Sequence, residues 1–165
     1  MINAVLYEPE IPQNTGNIMR TCAAFGVKLH LIEPLGFYLD EAHLRRAGMD
    51  YRDQIEWTVY SDWKAFEACN PGKYYFTTRY GHVPPDGFDY TVDEDLYFIF
   101  GKESTGIPKE LLKAHRDACI RVPMREEARC LNLSNTAAIV LYEAMRQRRY
   151  EYLSFDDRFK PGILV

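Results

Sequence analysis

The sequence predicts a single α/β domain built on a mostly parallel sheet with helices on both faces. Three observations carry this. Short apolar runs of strand length alternate with helix-period segments from end to end. NAVLY is a short apolar run that reads as a buried strand, YYFTT is a strong strand and LYFIF is stronger still. The 165 residues suit one domain, with 47% hydrophobic and 27% charged residues, near the globular average.

In chain order, Asn3–Tyr7 is the first strand, ended by Glu8-Pro9. Ile18, Met19, Cys22 and Phe25 repeat at helical spacing, with Asn14-Thr15 offered as the cap. Lys28–Ile32 is the second strand. Asp40 is placed to cap a short helix through Leu44 and Ala47, closed by Gly48. Ile55–Val59 reads as a strand, and Ser61 as the cap of a helix carrying Trp63, Ala65 and Phe66. Tyr74–Thr78 and Leu96–Phe100 are strands. Arg79–Asp95 between them, rich in Pro, Gly and acids, reads as a surface loop. Pro108 opens the helix KELLKAH, Ala118–Val122 is the last strand, and a long helix runs from Ser134 to about Arg149 with Ala137, Ala138, Leu141 and Met145 on one face. The domain is expected over 1–150, with 151–165 a loosely held tail.

Charge and cysteines bound the function. Twenty Lys+Arg against 24 Asp+Glu give −4, so any nucleic-acid site must be a local basic patch. Cys22, Cys69, Cys119 and Cys130 include no Cys-x-x-Cys pair, which argues against zinc, and four thiols beside an adequate core read as reduced. The first residues carry no basic region ahead of an apolar core, and no run is long enough to span a bilayer. A cytoplasmic protein with no metal and no membrane partner is expected.

The loops after the strands hold the chemistry, because open parallel sheets bind ligands beyond their carboxyl ends. Gly101-Lys102-Glu103-Ser104-Thr105-Gly106 follows a buried strand and precedes a helix. A phosphate loop fails there, since the required first glycine falls inside LYFIF. The dinucleotide fingerprint fails as well, because no two glycines are separated by a single residue. What remains is a carboxylate, Glu103, aimed out of the sheet, either a site residue or a helix-capping acid. Asn132, Ser134 and Asn135 are too many polar groups for one cap, which leaves at least one for a ligand. Asn14, Asn17 and Arg20 recur three apart and are expected on one face of the first helix. The arginines of Ile120–Asn135, with Arg45, Arg46 and Arg148, are either solvated or gathered by the fold.

Together, N-T-G-N-I-M-R (Asn14–Arg20), F-G-K-E-S-T-G-I-P (Phe100–Pro108) and I-R-V-P-M…C-L-N-L-S-N (Ile120–Asn135) resemble the three motifs of the SPOUT RNA methyltransferases. The opening L-Y-E-P-E-I-P-Q-N-T-G-N, with H-L-I-E-P-L-G-F and L-R-R-A-G-M-D-Y, is similar to the minimal single-domain group that methylates the ribose 2′-oxygen of the wobble cytidine or modified uridine of tRNA. The resemblance implies a deep C-terminal trefoil knot, a homodimer, and S-adenosylmethionine bound in the knot. It also implies the tRNA anticodon stem-loop, and not DNA, as partner.

Carried across by motif, the resemblance implies Arg20 as the catalytic arginine, with Asn14, Asn17, Glu103, Asn132 and Tyr142 as further catalytic candidates. It implies Thr77, Thr78, Gly101, Glu103, Val122, Cys130, Leu131 and Asn132 against the cofactor, and Arg45, Arg46, Arg129 and Arg148 against RNA. Two positions depart from the family pattern. Cys130 replaces a Ser, which weakens any role for a hydroxyl there, and Lys102 replaces a Pro, with little consequence expected. Two competing readings remain: a non-catalytic RNA-binding member of the same fold, disfavoured by the retained Arg20, Glu103 and Asn132, and a nucleotide hydrolase, for which neither a carboxylate cluster nor a phosphate loop is present.

Overall fold

The computed structural model describes residues 1–38 and 55–156. Its strands are β1 (Ile2–Tyr7), β2 (Lys28–Ile32), β3 (Trp57–Tyr60), β4 (Lys73–Thr77), β5 (Leu96–Phe100) and β6 (Cys119–Ile120), and they form one sheet in the order β3-β2-β1-β5-β4-β6. Every neighbouring pair is parallel. The helices are α1 (Pro12–Phe25), α2 (Trp63–Cys69), α3 (Lys109–Ala114) and α4 (Leu133–Gln147). The short helix expected after Asp40 lies outside the described residues.

Side chains alternate across each strand, so one sequence fills two cores. Ala4, Leu6, Phe98 and Phe100 face α1 and α4, meeting Ile18, Met19, Cys22, Ala137, Val140, Leu141 and Ala144. Val5, Tyr97, Ile99 and Phe76 face the other way, against Phe66 of α2 and Leu112 of α3. Burial on both faces is why β5 reads as an unbroken apolar run and is buried at every position.

Several local expectations shift. Helix α1 begins at Pro12, with Ile11 and not Asn14-Thr15 at its cap: a proline in the first turn gives up only an N–H that has no intrahelical acceptor. Gly26 closes it in the left-handed conformation, φ 64°. Asp62, one residue after Ser61, caps α2 by accepting from Ala65 N at 2.8 Å. Strand β3 is displaced to Trp57–Tyr60, and β6 keeps only Cys119–Ile120 of the expected Ala118–Val122.

The 79–95 segment is more than a surface loop. Tyr90 within it is fully buried, its ring 5.1 Å from Tyr75 and 5.0 Å from Phe98. The end of α4 pins this segment: Gln147 Nε2 donates to Phe88 O, and Arg148 donates to Tyr90 O (2.8 Å) and Val92 O (3.0 Å). Its first part closes over β6, since Arg121 N donates to Val83 O at 2.8 Å and Gly81 lies so near Cys119 and Ile120 that a Cβ there would collide with their backbone. After α4, Tyr150 and Leu153 pack against the core, so the start of the expected tail is held.

A polar network crosses the buried sheet. His30 Nε2 meets Asn3 Oδ1 at 3.2 Å, and Nδ1 meets the Tyr60 hydroxyl at 3.1 Å. Asn3 spends its Nδ2 on Leu96 O, so its Oδ1 faces the ring and makes Nε2 the donor; the Tyr60 hydroxyl lies between Nδ1 of the neutral ring and Asn70 Oδ1, which accepts from it at 3.4 Å. Burial, with Lys28 adding repulsion, lowers the His30 pKa from 6.5 to about 4. The unfolded chain therefore binds the extra proton between these values, and stability present above pH 6.5 is lost as pH falls toward 4. Urea denaturation is expected to show a loss of about 3 kcal/mol across that window, largely removed in His30→Asn. An equal loss in both proteins would contradict this origin.

Candidate functional site

The carboxyl ends of β4, β5 and β6 open into a cavity of about 870 Å³. Thr77–Tyr80, Phe100–Ile107, Arg121–Val122 and Arg129–Leu133 line it, with Ile11 and Asn14 from the start of α1. Every residue expected against the cofactor lies here: Thr77, Thr78, Gly101, Glu103, Val122, Cys130, Leu131 and Asn132. This volume is in the range of sites that enclose a small molecule. The loop after β5 is tight because it closes on itself. Gly106 N donates to Lys102 O at 2.9 Å, Gly106 holds φ 74°, and a Cβ on Gly101 would strike the backbone of Gly106 and Ile107.

Glu103 organises the polar side of the cavity. Its carboxylate accepts from Glu10 N (2.9 Å), Ile11 N (3.3 Å) and Asn14 Nδ2 (2.9 Å). The expectation of a capping acid is met in an unexpected place: Glu103 secures the entry of α1, far away in sequence, and not the helix that follows it. Asn14 in turn accepts from Asn132 Nδ2 at 2.9 Å. Asn132 Oδ1 caps α4, accepting from Ser134 N (2.8 Å), the Ser134 hydroxyl (2.6 Å) and Asn135 N (3.4 Å). One residue from each of the three motifs thus joins a single hydrogen-bonded chain.

Two further contacts were not foreseen. Glu10 accepts from Ser104 N and Oγ, both at 2.8 Å, and these bonds hold its carboxyl below the usual range. Lys102 pairs with Glu8 at 2.6 Å, a bond no proline makes, so this departure from the family pattern carries a contact after all. Arg79 and Tyr80 also line the cavity and were read only as loop. Their position directly beyond a strand end was the available signal.

Other candidates lie elsewhere. Asn17 and Arg20 are exposed, whereas Asn14 is buried. Three-residue spacing falls about 60° short of a full turn at each step, so Arg20 sits about 120° around α1 from Asn14, and the expected common face is not formed. Arg20 does not line the cavity. Tyr142 is half exposed on α4, its hydroxyl 2.9 Å from that of Tyr150 and its ring 6.4 Å from Phe25. Arg129 lines the cavity, while Arg148 is engaged by the Tyr90 and Val92 carbonyls, which a phosphate would have to displace. Arg45 and Arg46 lie outside the described residues.

Residues 1–142 match the SpoU rRNA Methylase family. The chain belongs to that family. A Bacillus subtilis relative whose tRNA (cytidine(34)-2′-O)-methyltransferase name is provisional is 53% identical over 155 residues, 92% of this chain and 96% of its own. The tRNA (cytidine(34)-2′-O)-methyltransferase of Burkholderia ambifaria is 45% identical over 163 residues, 92% and 98% of the two chains. Among solved structures, one described as giving structural insights into the 2-OH methylation of C/U34 on tRNA superposes with a TM-score of 0.82 at 38% identity, covering 90% of this chain and 97% of the other. An AdoMet-bound rRNA methyltransferase from Sinorhizobium meliloti gives 0.79 at 26% identity, covering 93% of this chain and 57% of that one. This SpoU-family chain therefore has the α/β fold and parallel sheet that its sequence predicts.

The Glu103 bonds tie the starts of α1 and α4 to the cavity rim. Glu103→Ala removes a charged acceptor from three donors and is expected to cost about 2 kcal/mol of global stability, read by urea denaturation. Unchanged stability would show that α1 is held without this carboxylate.

Proposed function

We propose that the protein is a tRNA (cytidine(34)-2′-O)-methyltransferase that binds S-adenosylmethionine in the cavity at the ends of β4, β5 and β6. The observation that carries this reading is the convergence of all three motifs on that cavity through Glu103, Asn14 and Asn132. The relatives' names supply the substrate class.

The residues fit the cofactor. Thr77 Oγ1 is buried at the cavity wall without a hydrogen-bond partner, a polar atom that a ligand would satisfy. When bound, S-adenosylmethionine supplies a methyl group on a positively charged sulfur for in-line transfer to a ribose 2′-oxygen. The chain's task is then positioning and exclusion of water. The closed Gly101–Gly106 turn and the Cys130–Asn132 segment, both in the cavity wall, would hold the ligand, and the Glu103–Asn14–Asn132 chain joins these loops. Glu103 acts through this geometry and is a positioning residue.

Arg20 is assigned to stabilise negative character on the attacking 2′-oxygen by donating hydrogen bonds. A general-base role would need a neutral guanidinium, a form that arginine does not adopt in proteins. Because Arg20 lies off its own cavity, the reading includes a homodimer. The apolar faces of α1 and α4 are spent inside the protomer: Ile18, Cys22, Ala137, Leu141 and Ala144 are buried in the core. The outward set, Phe25 with exposed Ile139 and Tyr142, is what remains for a partner. This face adjoins the helix whose first turn lines the cavity, so a dimer formed there gathers the arginines of two copies around one RNA.

Transfer of labelled methyl from S-adenosylmethionine to tRNA tests the activity. Arg20→Ala is expected to lose at least a hundredfold in turnover with cofactor affinity within about twofold of wild type, in line with loss of an oxyanion donor. Wild-type turnover in the variant would remove Arg20 from the chemistry. Sedimentation equilibrium is expected to give a dimer at micromolar concentration and a monomer for Tyr142→Glu with Ile139→Glu; a monomeric wild type contradicts the interface.

A further inference from the structure

A second cavity, of about 520 Å³, lies between α3 and the segment that follows β4. Its floor is apolar, from Val83, Leu112 and Cys119, and Tyr80 stands at one side with its ring half exposed. Its rim is cationic. Lys109 and Lys113 are one helical turn apart on α3, and Arg116 follows them. Neither lysine takes part in an ion pair among the described residues, and Asp117, 4.0 Å from Arg116, is the single acidic residue of the lining. On a chain of net charge −4 this is a concentrated positive patch.

The two cavities share Tyr80, and Arg79 lies over the Tyr80 ring at 5.8 Å from its centroid. The groove therefore adjoins the proposed catalytic cavity, with Tyr80 in the wall of both. An apolar slot beside an aromatic ring accepts a planar base, and a cationic rim accepts phosphates, the combination by which proteins hold single-stranded nucleic acid. A peptide of matching charge would use the rim but leave the slot empty.

The geometry points to this groove as a second RNA-binding site, which takes an unpaired nucleotide of the substrate RNA with its base beside Tyr80 and its phosphates on Lys109, Lys113 and Arg116. The inference rests on the RNA-methyltransferase reading and adds a surface to it. None of the rim cations lines the cofactor cavity, so binding of RNA and of cofactor are separable by mutation.

Binding of tRNA is measured by fluorescence anisotropy at several salt concentrations, for the full-length chain, Lys109→Glu with Lys113→Glu, and Lys64→Glu on α2 as a charge-reversal control. The groove variant is expected to bind tRNA at least tenfold more weakly at 0.1 M salt, with the salt slope reduced by about one to two phosphate contacts. S-adenosylhomocysteine affinity should not change, and Lys109→Arg with Lys113→Arg should restore RNA binding. Equal loss in the Lys64→Glu control, no loss in the groove variant, or a wild type that binds no RNA each overturns the site. So does displacement of tRNA by polyglutamate as readily as by polycytidylate at equal charge. Methyl transfer on the same samples separates the two readings: RNA bound through the groove without transfer defeats the activity alone, and transfer that survives the groove variant with undiminished RNA affinity defeats the groove alone.

Discussion

The carboxylate of Glu103 holds together parts of the chain that no local interaction would bring into register. It takes two backbone N–H groups at the entry of α1 and the amide of Asn14, and Asn14 passes the connection to the cap of α4. A half-buried charge with three donors is satisfied, and without it the part-buried Glu10 N and Asn14 Nδ2 would lose their acceptor. The neighbouring Glu10–Ser104 and Lys102–Glu8 contacts work in the same direction, fastening the loop after β5 to the segment after β1. These bonds shape the cavity where its walls are loops, between the ends of β4 and β5 and the starts of α1 and α4.

That arrangement depends on the sheet beneath it. Parallel strands send their carboxyl ends to one edge, and the central pair, β1 and β5, emits the segments that Glu103 and Glu10 join. Burial of both sheet faces keeps those ends from shifting, with Phe98 and Phe100 fixed on one side and Tyr97 and Ile99 on the other. The Tyr90 segment is pinned by Gln147 and Arg148, and Tyr80 reaches the cavity from the end of β4, its N–H donating to Thr78 Oγ1.

Much of this was legible in residue patterns. Strand cores and helix periods are local properties, and LYFIF or the Ala137–Met145 stripe announces itself. The caps differ from the sequence expectation by one residue where neighbouring polar groups compete, as at Ser61-Asp62, and by three or four where a proline does the work, as at Pro12. The cofactor loops came from motif resemblance, and all of them meet at one cavity. What escaped was the pairing of Glu8 with Lys102 and Glu10 with Ser104, each across 94 residues, because polar contacts between distant loops leave no periodic trace. The common face assigned to Asn14 and Arg20 failed for a geometric reason, the drift of a three-residue repeat around a helix of 3.6 residues per turn.

The dependence of the cavity on Glu103 is tested most directly by titrating S-adenosylhomocysteine calorimetrically into the wild type and into Glu103→Gln. One ligand per chain is expected for the wild type, with at least tenfold weaker binding in the variant, whose amide sets an N–H donor against donors already there. Absence of binding in the wild type, or equal affinity in both, would contradict a cofactor site shaped by this carboxylate.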